Sequence, residues 1–322
     1  MIKKSFVLIA VFLVVVILGF LYFKNNNLSS SDSASSGDQT KRFNNCSEDQ
    51  LIINEEQLKE LSTGGPVSHN IYRLNSQDGL NFSAENNLLL SSASVPDAVK
   101  TSDGRTLLYF VSGVSTAHGI WVAEVEDSGL VEVLDCLSFD GQAEEGATDP
   151  NVSLMSDGSL RLVYLSNFGK QKNNRVIKSA VSEDGINFSV EDNLIQPAYV
   201  SDPTETMLKD GSFLLAAPSI GDQLDFYVSL DGRDFSTKRS SLKIDGGIFG
   251  DLITMPDGTV RFYVGGESLR MFQSTDEGIS WTEQKIFVGQ QSVSQHGIGM
   301  PSIFVADNGD LDVFYISSDK IK

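Results

Sequence analysis

The sequence predicts an all-β fold, a five-bladed β-propeller closed by its N-terminal strands and preceded by an N-terminal transmembrane helix. Three observations predict it. A unit of about fifty residues recurs along the chain from Val95 onward. Each copy carries Asp-Gly or Asn-Gly between two apolar-rich runs, the pattern of a β-hairpin. One uninterrupted apolar stretch stands near the N-terminus.

Composition narrows the function classes. With 322 residues, 40% hydrophobic and 21% charged, the chain has the apolar content for a sizeable core, which excludes wholesale disorder. Its 43 acidic against 24 basic residues leave a net charge of -19. A surface so acidic repels polyphosphate, so nucleic acid is not an expected partner. Two cysteines exclude a small disulfide scaffold and a cysteine-rich metal domain, while 28 glycines and 19 phenylalanines suit a turn-rich β protein.

In chain order, residues 1–24 read as a cytoplasmic tip and membrane anchor. The apolar run FVLIAVFLVVVILGFLYF, residues 6–23, would rise about 27 Å as a helix, close to the hydrocarbon thickness of a bilayer. Leu21, Tyr22 and Phe23 run into Lys24 and three asparagines instead of a small-residue cleavage site, which favours a retained anchor over a cleaved signal. Lys3 and Lys4 precede the span, so the N-terminus is expected in the cytoplasm and the bulk of a single-pass cell-membrane protein outside. Residues 25–44 are Ser/Asn-rich and read as a linker. In residues 45–66, Leu51, Leu58 and Leu61 lie near helical spacing before Gly64, the mark of a short helix. Cys46 and Cys136 are the only thiols, and outside the cell they are expected to pair.

Residues 67–322 form the repeat region. Five segments align without gaps: VPDAVKTSDGRTLLYF from Val95, DPNVSLMSDGSLRLVY from Asp149, DPTETMLKDGSFLLAA from Asp202, FGDLITMPDGTVRFYV from Phe249 and MPSIFVADNGDLDVFY from Met300. Between them fall SQDGLNF from Ser76, SEDGINF from Ser182, SLDGRDF from Ser229 and STDEGISW from Ser274, with a degenerate VEDSGLVEV from Val125. Ser and Asp side chains there are expected to bond backbone amides while Gly takes a positive φ. These turns resemble the Asp-box repeats of sialidases and related propellers, which implies a structural role for them. The last hairpin lacks two strands, and residues 69–90 supply a strand, a turn and a strand with no hairpin before them. Pairing the two ends closes the ring, and a monomer is expected.

The first strand of each blade is expected to line the central channel, with its start at the face where ligands bind. The starting column is Val95, Asp149, Asp202, Phe249 and Met300. Two residues on come Asp97, Asn151, Thr204, Asp251 and Ser302, polar in every blade and suited to binding sugar hydroxyls, to holding a cation or to solvation alone. Over about residues 69–322 the chain resembles five-bladed glycoside hydrolases of the arabinanase and β-xylosidase kind. The resemblance rests on the five blades, the repeated turns, and Asp149-Pro150 and Asp202-Pro203 at blade starts. It implies an inverting hydrolase with a base, an acid and a carboxylate that tunes the acid. Carried over residue by residue, Asp149 matches the second-blade Asp, and Asp202 or Glu205 stands near the third-blade Glu. Val95 occupies the first-blade position, with Asp97 two residues on. The candidate catalytic set is thus Asp97, Asp149, Asp202 and Glu205, with Asn151, Thr204, Asp251 and Ser302 as candidate binding residues. His296, in QHGIGMPS, resembles the histidine that some of these hydrolases place beside a channel cation, which makes Ca2+ the one cofactor to consider. The alternative is a non-catalytic propeller that binds a glycan or a cell-surface protein, since Val95, Phe249 and Met300 put apolar side chains in the same ring.

Overall fold

The computed structural model describes residues 43–46, 68–112, 119–144, 146–168, 175–195, 201–219, 222–289, 297–306 and 308–317. The expected anchor, most of the linker, the expected helical segment beyond Cys46, and His296 lie outside the described residues. Among the described residues there is no α-helix; the architecture is a five-bladed β-propeller of four-stranded antiparallel blades, two of which gain a short parallel strand at the outer edge, Ser138–Phe139 and Phe287–Val288.

Each blade runs from the channel outward. Blade 1 is Ala93–Lys100, Thr106–Ser112, Ile120–Val125 and Val131–Cys136. Blade 2 is Thr148–Leu154, Leu160–Ser166, Val176–Ser182 and Asn187–Ile195. Blade 3 is Thr204–Met207, Phe213–Ser219, Gln223–Ser229 and Thr237–Lys243, and blade 4 is Gly250–Thr254, Val260–Val264, Arg270–Ser274 and Thr282–Gln284. Blade 5 joins the two ends of the repeat region, Gly299–Val305 and Leu311–Ser317 followed by Asn70–Ser76 and Asn81–Ser91. The closing pair is antiparallel and unbroken from Asn70 opposite Ser317 to Ser76 opposite Leu311. The five innermost strands contact one another in a ring.

The second strands explain why the hairpins read as apolar runs without strict alternation. Thr106–Ser112 is buried along its whole length because its two faces serve two seams. Leu107 and Tyr109 join the cluster shared with blade 2, whereas Leu108 and Phe110 join the cluster shared with blade 5.

The Ser-Asp turns fasten blades 2, 3, 4 and 5 each to the one before it. In the turn after Asn70–Ser76, Gly79 N donates to Ser76 Oγ at 2.9 Å, and Leu80 N and Asn81 N donate to Asp78 Oδ1 at 2.7 and 2.8 Å. The turns at Ser182 and Ser274 repeat the serine-to-glycine and aspartate-to-amide bonds. At Ser229, Asp231 accepts from Arg233 N. Three turns then offer a carbonyl to the second strand of the preceding blade: Tyr263 Oη donates to Gly79 O, Tyr109 Oη to Gly185 O, and Arg161 Nη2 to Gly232 O. At Gly278 the contact is the Leu214 side chain.

Phe43 and Asn44, expected to end the linker, are instead held on blade 1. Asn44 N and Asn45 N donate to Asp135 Oδ2 at 2.6 and 3.1 Å, the Phe43 ring meets Trp121 edge-on at 5.2 Å, and Cys46 is bonded to Cys136. Both Phe43 and Cys46 pack on the cluster that blades 5 and 1 share.

Candidate functional site

The site is built where the innermost strands begin. Val95, Asp149, Asp202 and Met300 all take left-handed φ values, 48°, 53°, 46° and 44°. Each precedes a proline, whose ring disfavours the right-handed helical conformation for the residue before it. The ladder shifts register across these positions in blades 1, 2 and 5. A non-glycine residue held there stores about 1–3 kcal/mol, a strain that clusters at binding clefts. Blade 4 departs from the pattern with Phe249-Gly250, and Gly250 is required because the Tyr263 carbonyl lies 2.0 Å from where a Cβ would stand.

One step deeper, the polar column forms a continuous staple. Each side chain accepts the backbone N–H of the next blade: Val152 N donates to Asp97 Oδ2, Glu205 N to Asn151 Oδ1 at 2.7 Å, Leu252 N to Thr204 Oγ1 at 2.9 Å, Ile303 N to Asp251 Oδ2 at 2.9 Å, and Ala98 N to Ser302 Oγ at 3.1 Å. Side-chain bonds reinforce the circle, with Ser302 Oγ on Asp97 at 2.9 Å, Thr204 Oγ1 on Asp251 at 2.6 Å, and Asn151 Nδ2 on Asp251 at 3.1 Å. All five residues are buried. Burial raises the Asp97 carboxyl well above its usual range and Asp251 up to about 6; the negative charge of Asp251 adds to the shift at Asp97. The ring therefore closes the channel by joining each blade to a backbone amide of the next.

Above the ring, the mouth is lined by Asp149, Asp202, Val95, Phe249 and Met300 with the neighbouring prolines, around a cavity of about 30 Å³ that Asp97, Asn151, Thr204 and Asp251 of the ring also line. That is room for one or two waters between these residues; a larger molecule would sit on them. Asp149 and Asp202 are neighbours, since Asp202 N donates to Asp149 Oδ2 at 3.0 Å, and Thr148 Oγ1 donates to Asp149 Oδ1 at 2.8 Å. Asp202 Oδ1 is buried and makes no hydrogen bond. Burial raises both carboxyls, and the charge of Asp149 raises Asp202 further, against a smaller pull downward from Arg175. Phe249 is 37% exposed at the rim, an aromatic face open to solvent. Arg175, whose guanidinium lies 4.9 Å from the Phe168 ring centre, stands outside both repeat motifs and carries no signal in the sequence.

The structure thus separates the candidate residues. Asp149 and Asp202 meet at the mouth. Asp97, Asn151, Thr204, Asp251 and Ser302 come together as the staple beneath it. Glu205 faces away, between blades 2 and 3, where Arg161 donates to both its oxygens at 2.8 and 3.3 Å and also to Glu191. Its alternation with Thr204 along a regular strand puts it there. Among the described residues no three carboxylate, imidazole or thiol groups converge on one point. The oxygens of Asp97 and Asp251 are occupied by N–H and O–H donors. These residues do not fit a channel Ca2+.

No family model matches the chain, and no curated protein matches it. Solved structures share its fold. A thermostable family-43 glycoside hydrolase aligns with a TM-score of 0.55 and 14% identity over 70% of this chain and 88% of that one. An α-L-arabinofuranosidase from Lactobacillus brevis aligns at 0.54 and 12%, over 71% and 86%. An N-acetylgalactosamine deacetylase from F. plautii, solved with blood group B trisaccharide, aligns at 0.52 and 13%, over 74% and 82%. At these identities the likeness is one of fold.

Proposed function

We propose that the chain is an extracytoplasmic, membrane-anchored propeller that binds a glycan at the channel mouth without hydrolysing it. One observation carries the reading: the mouth sets the carboxyl pair Asp149 and Asp202 beside the exposed ring of Phe249, while the other candidate acids are engaged elsewhere. A sugar presents an apolar C–H face and hydroxyls, which an aromatic ring and the unengaged Asp202 Oδ1 complement. Hydrolysis needs two carboxyls on opposite sides of the scissile bond, roughly 5–9.5 Å apart. Val95 replaces a carboxyl at the start of the first blade, Asp97 reaches the same cavity but accepts from Val152 N and Ser302 Oγ, and Glu205 is held in its ion pair. Fold neighbours that act on glycans support the ligand class. The apolar run 6–23 supports the anchor.

A second reading, glycoside hydrolysis, is favoured by the raised carboxyls of Asp149 and Asp202, since a protonated acid beside an ionised one can protonate a leaving group. The two are separated on arrays of neutral arabino-, xylo- and galacto-oligosaccharides, followed by product analysis. The binding reading expects saturable retention, weakened about tenfold or more by Phe249→Ala or Asp202→Asn, with no reducing ends released. Release of reducing ends that stops in Asp149→Asn would replace it with the hydrolase.

A further inference from the structure

The five seams between blades are not alike on the face opposite the mouth. At four of them a Ser-Asp turn is seated so closely that a Cβ added to its glycine would meet a side chain of the preceding blade: Gly79 at 2.5 Å, Gly185 at 2.7 Å, Gly232 at 3.2 Å and Gly278 at 2.7 Å. At the fifth, between blades 5 and 1, nothing lies within 4 Å of the same position on Gly129. The sequence gives the cause. Val125 stands where the other turns have serine, and Glu132 stands where the turn of blade 4 has Trp281. Without the hydroxyl that ties down the first amide, or the aromatic that wedges between sheets, this turn is not drawn onto its neighbour.

What remains is a cavity of about 260 Å³. Blade 5 contributes Arg73, Asn75 and Phe304, and blade 1 contributes Lys100, Glu126 and Asp127. Arg73 is already committed: its Nε and Nη2 donate to the fully buried Asp312 at 3.0 and 2.6 Å, and Asn75 Nδ2 donates to the same carboxylate at 3.0 Å. An anion could claim Arg73 only by leaving that buried carboxylate unpaired, which is costly. Glu126 and Asp127 are exposed acceptors on the other side. Acceptors on one blade and, on the other, the second N–H of the Asn75 amide beyond the one given to Asp312 suit groups that both donate and accept, which hydroxyls do. The volume falls below the roughly 300–1,000 Å³ of sites for drug-sized ligands.

We propose that the seam between blades 5 and 1 is a second binding site, for a neutral polyhydroxylated molecule of monosaccharide size. It is independent of the mouth and does not rest on that reading. The test titrates the full chain with D-galactose, L-arabinose and D-xylose, and with sodium D-glucuronate as the charged control, by ligand-observed NMR. At least one neutral sugar should bind saturably, glucuronate should bind more weakly, and Phe249→Ala should leave this binding in place. Ala306→Trp, which fills the cavity, and Asp127→Asn, at an exposed position that folding does not depend on, should each weaken it about tenfold, or 1.4 kcal/mol. The proposal is overturned if no neutral sugar binds, if glucuronate binds more tightly, if Asp127→Asn leaves the affinity unchanged, or if Phe249→Ala removes all binding.

Discussion

Replacing Cys46 and Cys136 with serine should loosen one seam of the ring and leave the others as they are. The bond spans 90 residues of sequence. Chain-entropy arithmetic for a loop of that length gives about 15.5 cal/mol/K, or about 4.6 kcal/mol at 25 °C, with about 2–5 kcal/mol usual for native bridges. The strap that the bond holds also packs on the cluster shared by blades 5 and 1, the seam whose turn is not seated. At about 2–4 °C per kcal/mol, the double-serine variant should melt roughly 5–20 °C lower. Hydrogen exchange locates the loss. It should accelerate in Asn70–Ser76, Ala93–Lys100 and Leu311–Ser317, while Phe213–Ser219 and Val260–Val264 keep their protection. An unchanged melting temperature, or acceleration spread evenly over the five blades, would refute the idea that the bond clasps this seam.

Three further outcomes follow from the same contacts. Thr204→Val keeps the volume but removes one of the two acceptors of Leu252 N and the hydroxyl that Asp251 Oδ1 accepts, so it should cost about 1–3 kcal/mol in urea unfolding; no loss would mean that the staple is dispensable. Gly185→Ala and Gly129→Ala both place alanine at a positive φ, 79° and 82°, yet only the former meets Leu107 and Tyr109, so it should be the more destabilising by about 1–3 kcal/mol. The four channel aspartates have raised values in the folded state, so their contribution is full below the unfolded carboxylate range and declines as pH rises through them, through about 6 for Asp251. The turn aspartates Asp78, Asp184, Asp231 and Asp276 are lowered by hydrogen bonds, from the Ser280 hydroxyl foremost at Asp276 and from turn amides at the others, where at Asp184 they outweigh the rise from burial, and they lose their contribution on the acid side instead. Stability measured against pH should therefore peak in mildly acid solution, and Asp251→Asn should flatten the alkaline limb.

The blades, their order and the closing pair were legible because Asp-Gly and Asn-Gly turns mark hairpins locally and the fifty-residue period repeats the mark. The polar column was legible as a column, but its role was not. The partners of Asp97, Asn151, Thr204, Asp251 and Ser302 are backbone amides of the next blade, and an amide has no signature in sequence. Val95, Asp149, Asp202 and Met300 read as ordinary extended positions before proline, so the left-handed turn that displaces them at the mouth is invisible until the ring is assembled. Glu205 could be assigned to the far face by alternation alone, whereas its pairing with Arg161 depends on a contact between neighbouring blades.

The claim that the mouth, and not the staple beneath it, is the functional surface is tested most directly by binding isotherms for one array-selected oligosaccharide, measured with melting temperatures on wild type, Asp202→Asn and Asp251→Asn. Asp202 carries the unengaged mouth oxygen, and Asp251 holds the amides of two blades. Asp202→Asn should lose about tenfold or more in affinity with stability retained, and Asp251→Asn should melt lower with affinity retained. Affinity lost in Asp251→Asn at unchanged stability, with Asp202→Asn binding as wild type, would contradict that claim.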